Sequence, residues 1–195
     1  MAIVSIEVSK ADLRKAALAR REAMPAAERQ AAAEAVAARP FPLPIKPGMI
    51  VSGYMPLKSE INPMPLMRKL AAAGAALALP AVAGRGKPLV MRAYAIGQPL
   101  DSGVWGIREP SKEASEVAPD ILLVPLAAFD RQGRRIGYGA GYYDMTINAL
   151  RRQKPVVAVG IAYSAQEVAE VPTTQRDARL DLVLTERDVI DCRGT

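Results

Sequence analysis

Residues 121–129, ILLVPLAAF, are the most strongly apolar run in the chain, and the run is followed by RIGYGAGYYD at 135–144. A short apolar run without polar alternation suits a central strand covered on both faces. Three glycines at alternate positions, Gly137, Gly139 and Gly141, suit a sharp turn, and a helix is expected from about 144 to 152. Strand, glycine turn and helix in that order predict an α/β protein.

The flanking sequence extends the pattern. Strands are expected over 49–54, 75–79 and 89–94, with a helix over 62–73 entered through prolines. Beyond the glycines, VVAVGIAY at 156–163 reads as a second central strand, SAQEVAEV at 164–171 as a short helix, and LDLVLTE at 180–186 as a last strand. Upstream, Ser9 is expected to N-cap a helix through KADLRKAALARREAM, with Asp12 in its first turn. Pro25 then starts a second, alanine-rich helix that ends before Pro40. The expected architecture is a three-layer α/β/α sandwich around a mostly parallel or mixed sheet, preceded by an N-terminal helical hairpin, all in one domain over residues 1–195.

Composition narrows the chemistry. The 195 residues contain no histidine and one cysteine, Cys192. Catalytic triads, histidine metal sites and intramolecular disulfides are therefore excluded, and acid, base or metal work falls to carboxylates, Lys or Tyr. The opening MAIVSIEV lacks a basic leader and runs into KADLRK, so neither a signal peptide nor a membrane span is expected, and the reading is cytoplasmic. A formal charge of +6 favours anionic partners. Because the basic residues are scattered and no nucleic-acid motif is present, that charge does not point to nucleic acid.

Alternating glycines bring backbone N–H groups against phosphate oxygens, and Asp144 at the helix start could hold Mg²⁺ through carboxylate and phosphate oxygens. The same spacing also describes a glycine-rich turn capped by an ordinary Asp. Neither a Walker A loop nor GxGxxG is present. Lys10 and Arg14, one turn apart, could grip phosphates from a second direction, as Arg135 could from the loop; the plain alternative is a solvated helix face. Glu60, near Met55 and Leu57, reads as one polar group in an apolar pocket or as a surface cap. Asp177 and Asp181 flank the start of the last strand, either at the sheet end or in a solvated turn. Asp144 is expected to be removable without harm to the fold.

Taken in order, KADLR (10–14), GYMPLKSEIN (53–62), GIREP (106–110), LLVPLAAFDRQGRRIGYGAGYYD (122–144), VGIAYSAQ (159–166) and RDARLDLVLTE (176–186) resemble the 5-formyltetrahydrofolate cyclo-ligase family. The resemblance implies ATP- and Mg²⁺-dependent conversion of 5-formyltetrahydrofolate to 5,10-methenyltetrahydrofolate. It implies ATP contacts from Lys10, Arg14, Arg135, Ile136, Gly137, Tyr138, Gly139, Ala140, Gly141, Tyr142 and Tyr143. Of these, Arg135, Tyr142 and Tyr143 would be catalytic, and Tyr138, Gly139, Ala140, Gly141 and Tyr142 would also meet the folate beside Met55 and Glu60. Asp144 and Asp177 would serve Mg²⁺. The expected partners are the two substrates, with no nucleic acid or membrane, in a monomer or weak homodimer. This chain departs from the family at Ala140, Met145 and Arg176, where a basic residue or Gly, an Arg and a His are common. A catalytically weak paralogue that binds folate or nucleotide is therefore the first alternative, and an RNA-binding α/β protein the second.

Overall fold

The computed structural model of the chain describes residues 2–194, with side chains described from Lys10 onward. In chain order the elements are α1 (Ala2–Glu22), α2 (Ala26–Ala38), β1 (Ile50–Ser52), α3 (Met64–Ala72), β2 (Ala76–Ala81), β3 (Val90–Tyr94), β4 (Asp101–Ser102), β5 (Arg108–Glu109) and β6 (Ile121–Val124). They continue with β7 (Ala128–Phe129), β8 (Arg135–Ile136), α4 (Tyr142–Gln153), β9 (Val157–Ile161), β10 (Leu182–Leu184) and β11 (Val189–Asp191).

All four residues of β6 are buried, and they divide by parity. Ile121 and Leu123 pack with Leu66, Met67 and Leu70 of α3 and Ala33 and Val36 of α2. Leu122 and Val124 pack on the opposite face with Ile147 of α4. A strand buried on both faces needs no polar alternation, which is why 121–124 reads as continuous apolar sequence; the expected strand over 121–129 stops there, before Pro125, and Ala128–Phe129 pair instead with β8 in a separate two-stranded sheet. Each such side chain contributes about 1.5–3 kcal/mol on burial.

The seven-stranded sheet has the order β11-β10-β9-β6-β1-β2-β3. Its five inner strands are parallel, and β3 and β11 close the edges antiparallel. Helices on both faces complete the expected mixed-sheet sandwich. Strand β1 lies between β6 and β2, so the chain runs outward from it in both directions, and the crevice beyond the carboxyl ends of β1 and β6 is the topological switch point.

Several local expectations need correction. Helix α1 begins at Ala2, so Ser9 lies inside it and not at its cap; extending a formed helix adds one hydrogen bond per residue, and no breaker stands upstream. The two N-terminal helices are consecutive, but α1 packs against β7 and the Ser164–Gln166 turn, and α2 against α3. SAQEVAEV forms only a single 3₁₀ turn, Ser164–Gln166. There the Gln166 side chain accepts from Tyr163 N–H and donates to the carbonyls of Leu126 and Ala127, tying the segment down in extended form. LDLVLTE is followed by one more strand, β11. Between β3 and β6 the chain also makes a small hairpin, β4–β5, that carries Trp105 at its tip.

Candidate active site

The glycine loop spans the end of β8 to the start of α4. Gly139 and Gly141 have φ of 103° and 69°, in the left-handed region that disfavours other residues. Gly141 is the N-cap of α4 and supplies no side chain, so the first N–H groups of a 12-residue helix face the loop. Tyr142, Tyr143 and Asp144 are the first three helical residues. Ala140 is exposed at the loop tip, and Ile136 is buried under it.

Arg135 lies beneath this loop with its side chain 3% exposed. Its Nη2 donates to Asp144 Oδ1 at 2.8 Å, and its Nε is buried without a hydrogen-bond partner. A Cβ on Gly137 would sit 3.1 Å from Arg135 Nη1, so the missing side chain lets the guanidinium lie against the loop backbone. Burial pulls the Arg135 pKa below its usual value, an effect opposed by Asp144, Tyr143 and Asp177. The group remains a cation held close to the loop.

Asp144 Oδ1 also accepts the N–H of Ala178 at 2.9 Å, which brings the neighbouring Asp177 to the same wall. Asp177 Oδ2 takes Lys10 Nζ at 2.6 Å and Thr174 N–H at 2.7 Å. Each carboxylate thus has its second oxygen, Asp144 Oδ2 and Asp177 Oδ1, outside these bonds. A cleft of about 200 Å³ lined by Arg134, Arg135, Thr173, Thr174, Asp177, Ala178 and Arg179 opens beside them. Two carboxylate oxygens at the edge of the glycine loop are hard donors of the kind that Mg²⁺ takes together with phosphate oxygens and water. The expectation that Asp144 could be removed without harm to the fold needs correction, because its partner is a buried arginine and its removal would leave that charge uncompensated.

Helix α1 reaches all of these parts through one stripe. Lys10, Arg14, Ala17 and Arg21 recur at intervals of four, three and four residues, hence on one helix face. Lys10 meets Asp177; Arg14 Nε donates to Gly137 O at 2.7 Å; Ala17 is fully buried against Ala128, Ile136 and Val171. Arg21, 3% exposed, donates from Nε to Ser59 Oγ at 2.9 Å and from Nη1 to Tyr138 OH at 2.6 Å.

On the other side of the loop, Glu60 is 9% exposed at the end of the segment following β1. Its Oε2 accepts Leu57 N–H at 2.7 Å, and Tyr138 OH faces the same carboxyl. Burial pushes the Glu60 pKa up, opposed by the Leu57 N–H, the Tyr138 hydroxyl and the Arg21 cation. Burial also raises Tyr54, Tyr138 and Tyr143, so these hydroxyls keep their protons. Tyr138 is 47% exposed as a residue although its hydroxyl is tucked inward. Met55 packs against the core beside this segment and Leu57 is exposed, while Trp105, 71% exposed, has its ring 6.1 Å from that of Tyr142. The site is basic at one end and apolar with a single carboxyl at the other.

Residues 6–186 match the model of the 5-formyltetrahydrofolate cyclo-ligase family. The chain belongs to that family. It is 34% identical over 187 residues to the 5-formyltetrahydrofolate cyclo-ligase of Mycolicibacterium smegmatis, covering 92% of this chain and 94% of the relative. The Escherichia coli K12 enzyme of the same name is 30% identical over 154 residues, 75% of this chain and 82% of the relative. Among solved structures, 5,10-methenyltetrahydrofolate synthetase from Aquifex aeolicus superposes with a TM-score of 0.78 at 31% identity, over 95% of this chain and 94% of that one. The Mycoplasma pneumoniae synthetase, at 23% identity over 91% and 98% of the two chains, has a TM-score of 0.68 and speaks to the fold alone.

In this cyclo-ligase family member Lys10 meets Asp177, Arg14 meets Gly137, Arg135 meets Asp144, and Tyr138 faces Glu60; Asp181 is not among them and bonds Arg151 late in α4 and the N–H of Ala158 at the start of β9. The sequence reading missed Arg21, Ser59, Tyr54 and the Trp105 hairpin. Arg21 carried a usable signal, since it stands seven residues beyond Arg14 on the stripe that Lys10 begins. Trp105 carried none: β4 and β5 have two residues each, too short for any periodicity. No helix among the described residues is long and apolar enough to cross a membrane.

Proposed function

We propose that this protein closes 5-formyltetrahydrofolate to 5,10-methenyltetrahydrofolate at the expense of ATP, releasing ADP and phosphate. The single observation that carries the reading is the convergence of Lys10, Arg14 and Arg135 on one side of the glycine loop and of Glu60 and Tyr138 on the other. A triphosphate suits the first side and a polar heterocycle the second, so the loop stands where the two would meet.

A formyl oxygen on nitrogen is a weak nucleophile and a poor leaving group, and phosphorylation removes the second difficulty. The formyl oxygen attacks the γ-phosphorus and the bond to ADP breaks, leaving an N5 iminium phosphate. N10 then attacks the activated carbon, the C–O bond breaks, phosphate departs, and the N10 proton passes to water or phosphate. Arg135 and the N–H groups at the start of α4 neutralise charge on the transferring phosphoryl oxygens. Lys10 and Arg14 hold the chain of phosphates in line for attack. Glu60 accepts hydrogen bonds from the N–H groups of the pterin, and Met55 and Trp105 cover its faces. Asp144 and Asp177 would hold Mg²⁺, which supplies Lewis-acid neutralisation of the phosphates when bound. No histidine is needed, because no step requires a titrating imidazole.

The test is to mix the protein with 5-formyltetrahydrofolate and MgATP and to follow methenyl-folate absorbance together with ADP. Equal amounts of both products are expected, with none when ATP is omitted. Tight folate binding without product would overturn the reading in favour of a binding paralogue. The departures at Ala140, Met145 and Arg176 motivate that second reading: Ala140 and Arg176 are both exposed at the site's edge, where loss of a basic or titrating group alters the phosphate surroundings.

A further inference from the structure

We infer that Arg21 is a positioning residue for the folate end of the site: through Ser59 and the Tyr138 hydroxyl it holds Glu60 and Tyr138 from behind. The inference rests on the proposed reading of Glu60 as the pterin acceptor.

Arg21 lies on the α1 stripe and reaches the glycine loop at the Tyr138 hydroxyl. Its guanidinium spans three segments. Nε holds Ser59, the residue before Glu60; Nη1 holds the Tyr138 hydroxyl and lies 3.4 Å from the carbonyl of Leu126, just beyond β6. The guanidinium carbon also sits 5.7 Å from the centre of the Tyr138 ring. A planar fork with several fixed donors can hold three groups at set angles, which an ammonium cannot. The segment it grips is also unusual: Lys58, next to Ser59, has φ of 50°, a left-handed conformation that surrounding contacts must maintain.

The groups facing Glu60 are Arg21 from α1, Tyr138 from the glycine loop, Tyr143 from α4, Tyr54 beyond β1 and Tyr163 beyond β9. The four tyrosines are neutral, their hydroxyl pKa values raised by burial, so Arg21 is the cation of the set. Desolvation favours the protonated Glu60 and Arg21 opposes it. Removing the cation therefore pushes the carboxyl further up, and folate binding that needs a carboxylate is lost at a higher pH than before.

The experiment is an equilibrium titration of the full chain with 5-formyltetrahydrofolate, without ATP, across pH, read by fluorescence of the single tryptophan, Trp105. Arg21→Gln, Arg21→Lys, Tyr138→Phe and Glu60→Gln are compared with the parent. Arg21→Gln is expected to weaken folate binding about tenfold at neutral pH, the loss of one hydrogen bond to a charged group. Its acid limb should move to higher pH, so that affinity recovers in alkaline buffer, while KM for MgATP stays unchanged. Arg21→Lys should restore the limb but not the full affinity. Should Arg21→Gln not fold, Tyr138→Phe carries the test, because this half-exposed residue needs no repacking; a smaller shift in the same direction is expected. A Glu60→Gln loss of folate binding with unshifted limbs in Arg21→Gln and Tyr138→Phe overturns the inference alone. Unchanged binding in Glu60→Gln overturns the pterin reading of Glu60 and the inference with it.

Discussion

Two carboxylates clamp α4 with the same chemistry and to different ends. Asp144 Oδ1, in the first turn, accepts from Arg135 Nη2 and from the N–H of Ala178. Asp181 Oδ2, just before β10, accepts from Arg151 Nη2 at 2.7 Å and from the N–H of Ala158 at 2.7 Å. Each is an aspartate shared between an arginine and a strand or turn amide. The difference is in the arginine. Arg151 is 30% exposed and bonds the Arg179 carbonyl as well, so that pair is a finished brace between α4 and the sheet. Arg135 is 3% exposed with an orphan Nε, beneath glycines that leave the loop open. A buried charge with donor capacity to spare, beside open glycine backbone, distinguishes the candidate site from the brace.

The largest effect should come from Asp144→Asn, which keeps an acceptor for Arg135 and Ala178 and removes the negative charge. A fall in kcat of about 10²–10³-fold is expected, with a lower melting temperature as well because the buried Arg135 loses its counter-charge; retention of full rate would make Asp144 a second brace. Asp181→Asn should spare the reaction. Activity stays within about twofold and stability falls by about 1 kcal/mol in denaturant titration, discounted for exposure. A large loss of activity there would erase the distinction between the two clamps.

The smallest effect concerns stability at the folate end. Glu60 has a raised pKa in the fold because burial disfavours its charge. Stability is then greatest while the carboxyl is protonated and falls as pH rises from the ordinary glutamate value through the raised one. Glu60→Gln escapes this fall. At neutral pH it should melt slightly higher than the parent, with the gap closing in acid, in thermal scans across pH. A lower melting temperature at neutral pH would mean that the Glu60 charge is stabilising and that burial is not its dominant influence.

Much of this was legible in the sequence because the decisive elements are locally unambiguous. The first four residues of the 121–129 run are apolar at every position and suit a doubly covered strand, as alternating glycines before a helix suit a tight loop. The failures have a common cause. Ser9 looks like a cap because capping is judged from one residue and its successors, and nothing local reports that the helix continues upstream. SAQEVAEV has helical composition, but the Gln166 side chain engages carbonyls forty residues away. The Arg21–Ser59–Tyr138 contacts join positions separated by 38 and 117 residues, and no local spacing encodes them. Elements set by their own periodicity were readable; side chains whose partners are fixed by the sheet order were not.

In the proposed reaction the formyl oxygen attacks phosphorus at the glycine loop. The direct measurement is to run the reaction with 5-formyltetrahydrofolate carrying ¹⁸O in the formyl group and to analyse the released phosphate by mass spectrometry. One ¹⁸O in phosphate per methenyl product is predicted. Product formed with the label in water, and unlabelled phosphate, would contradict it.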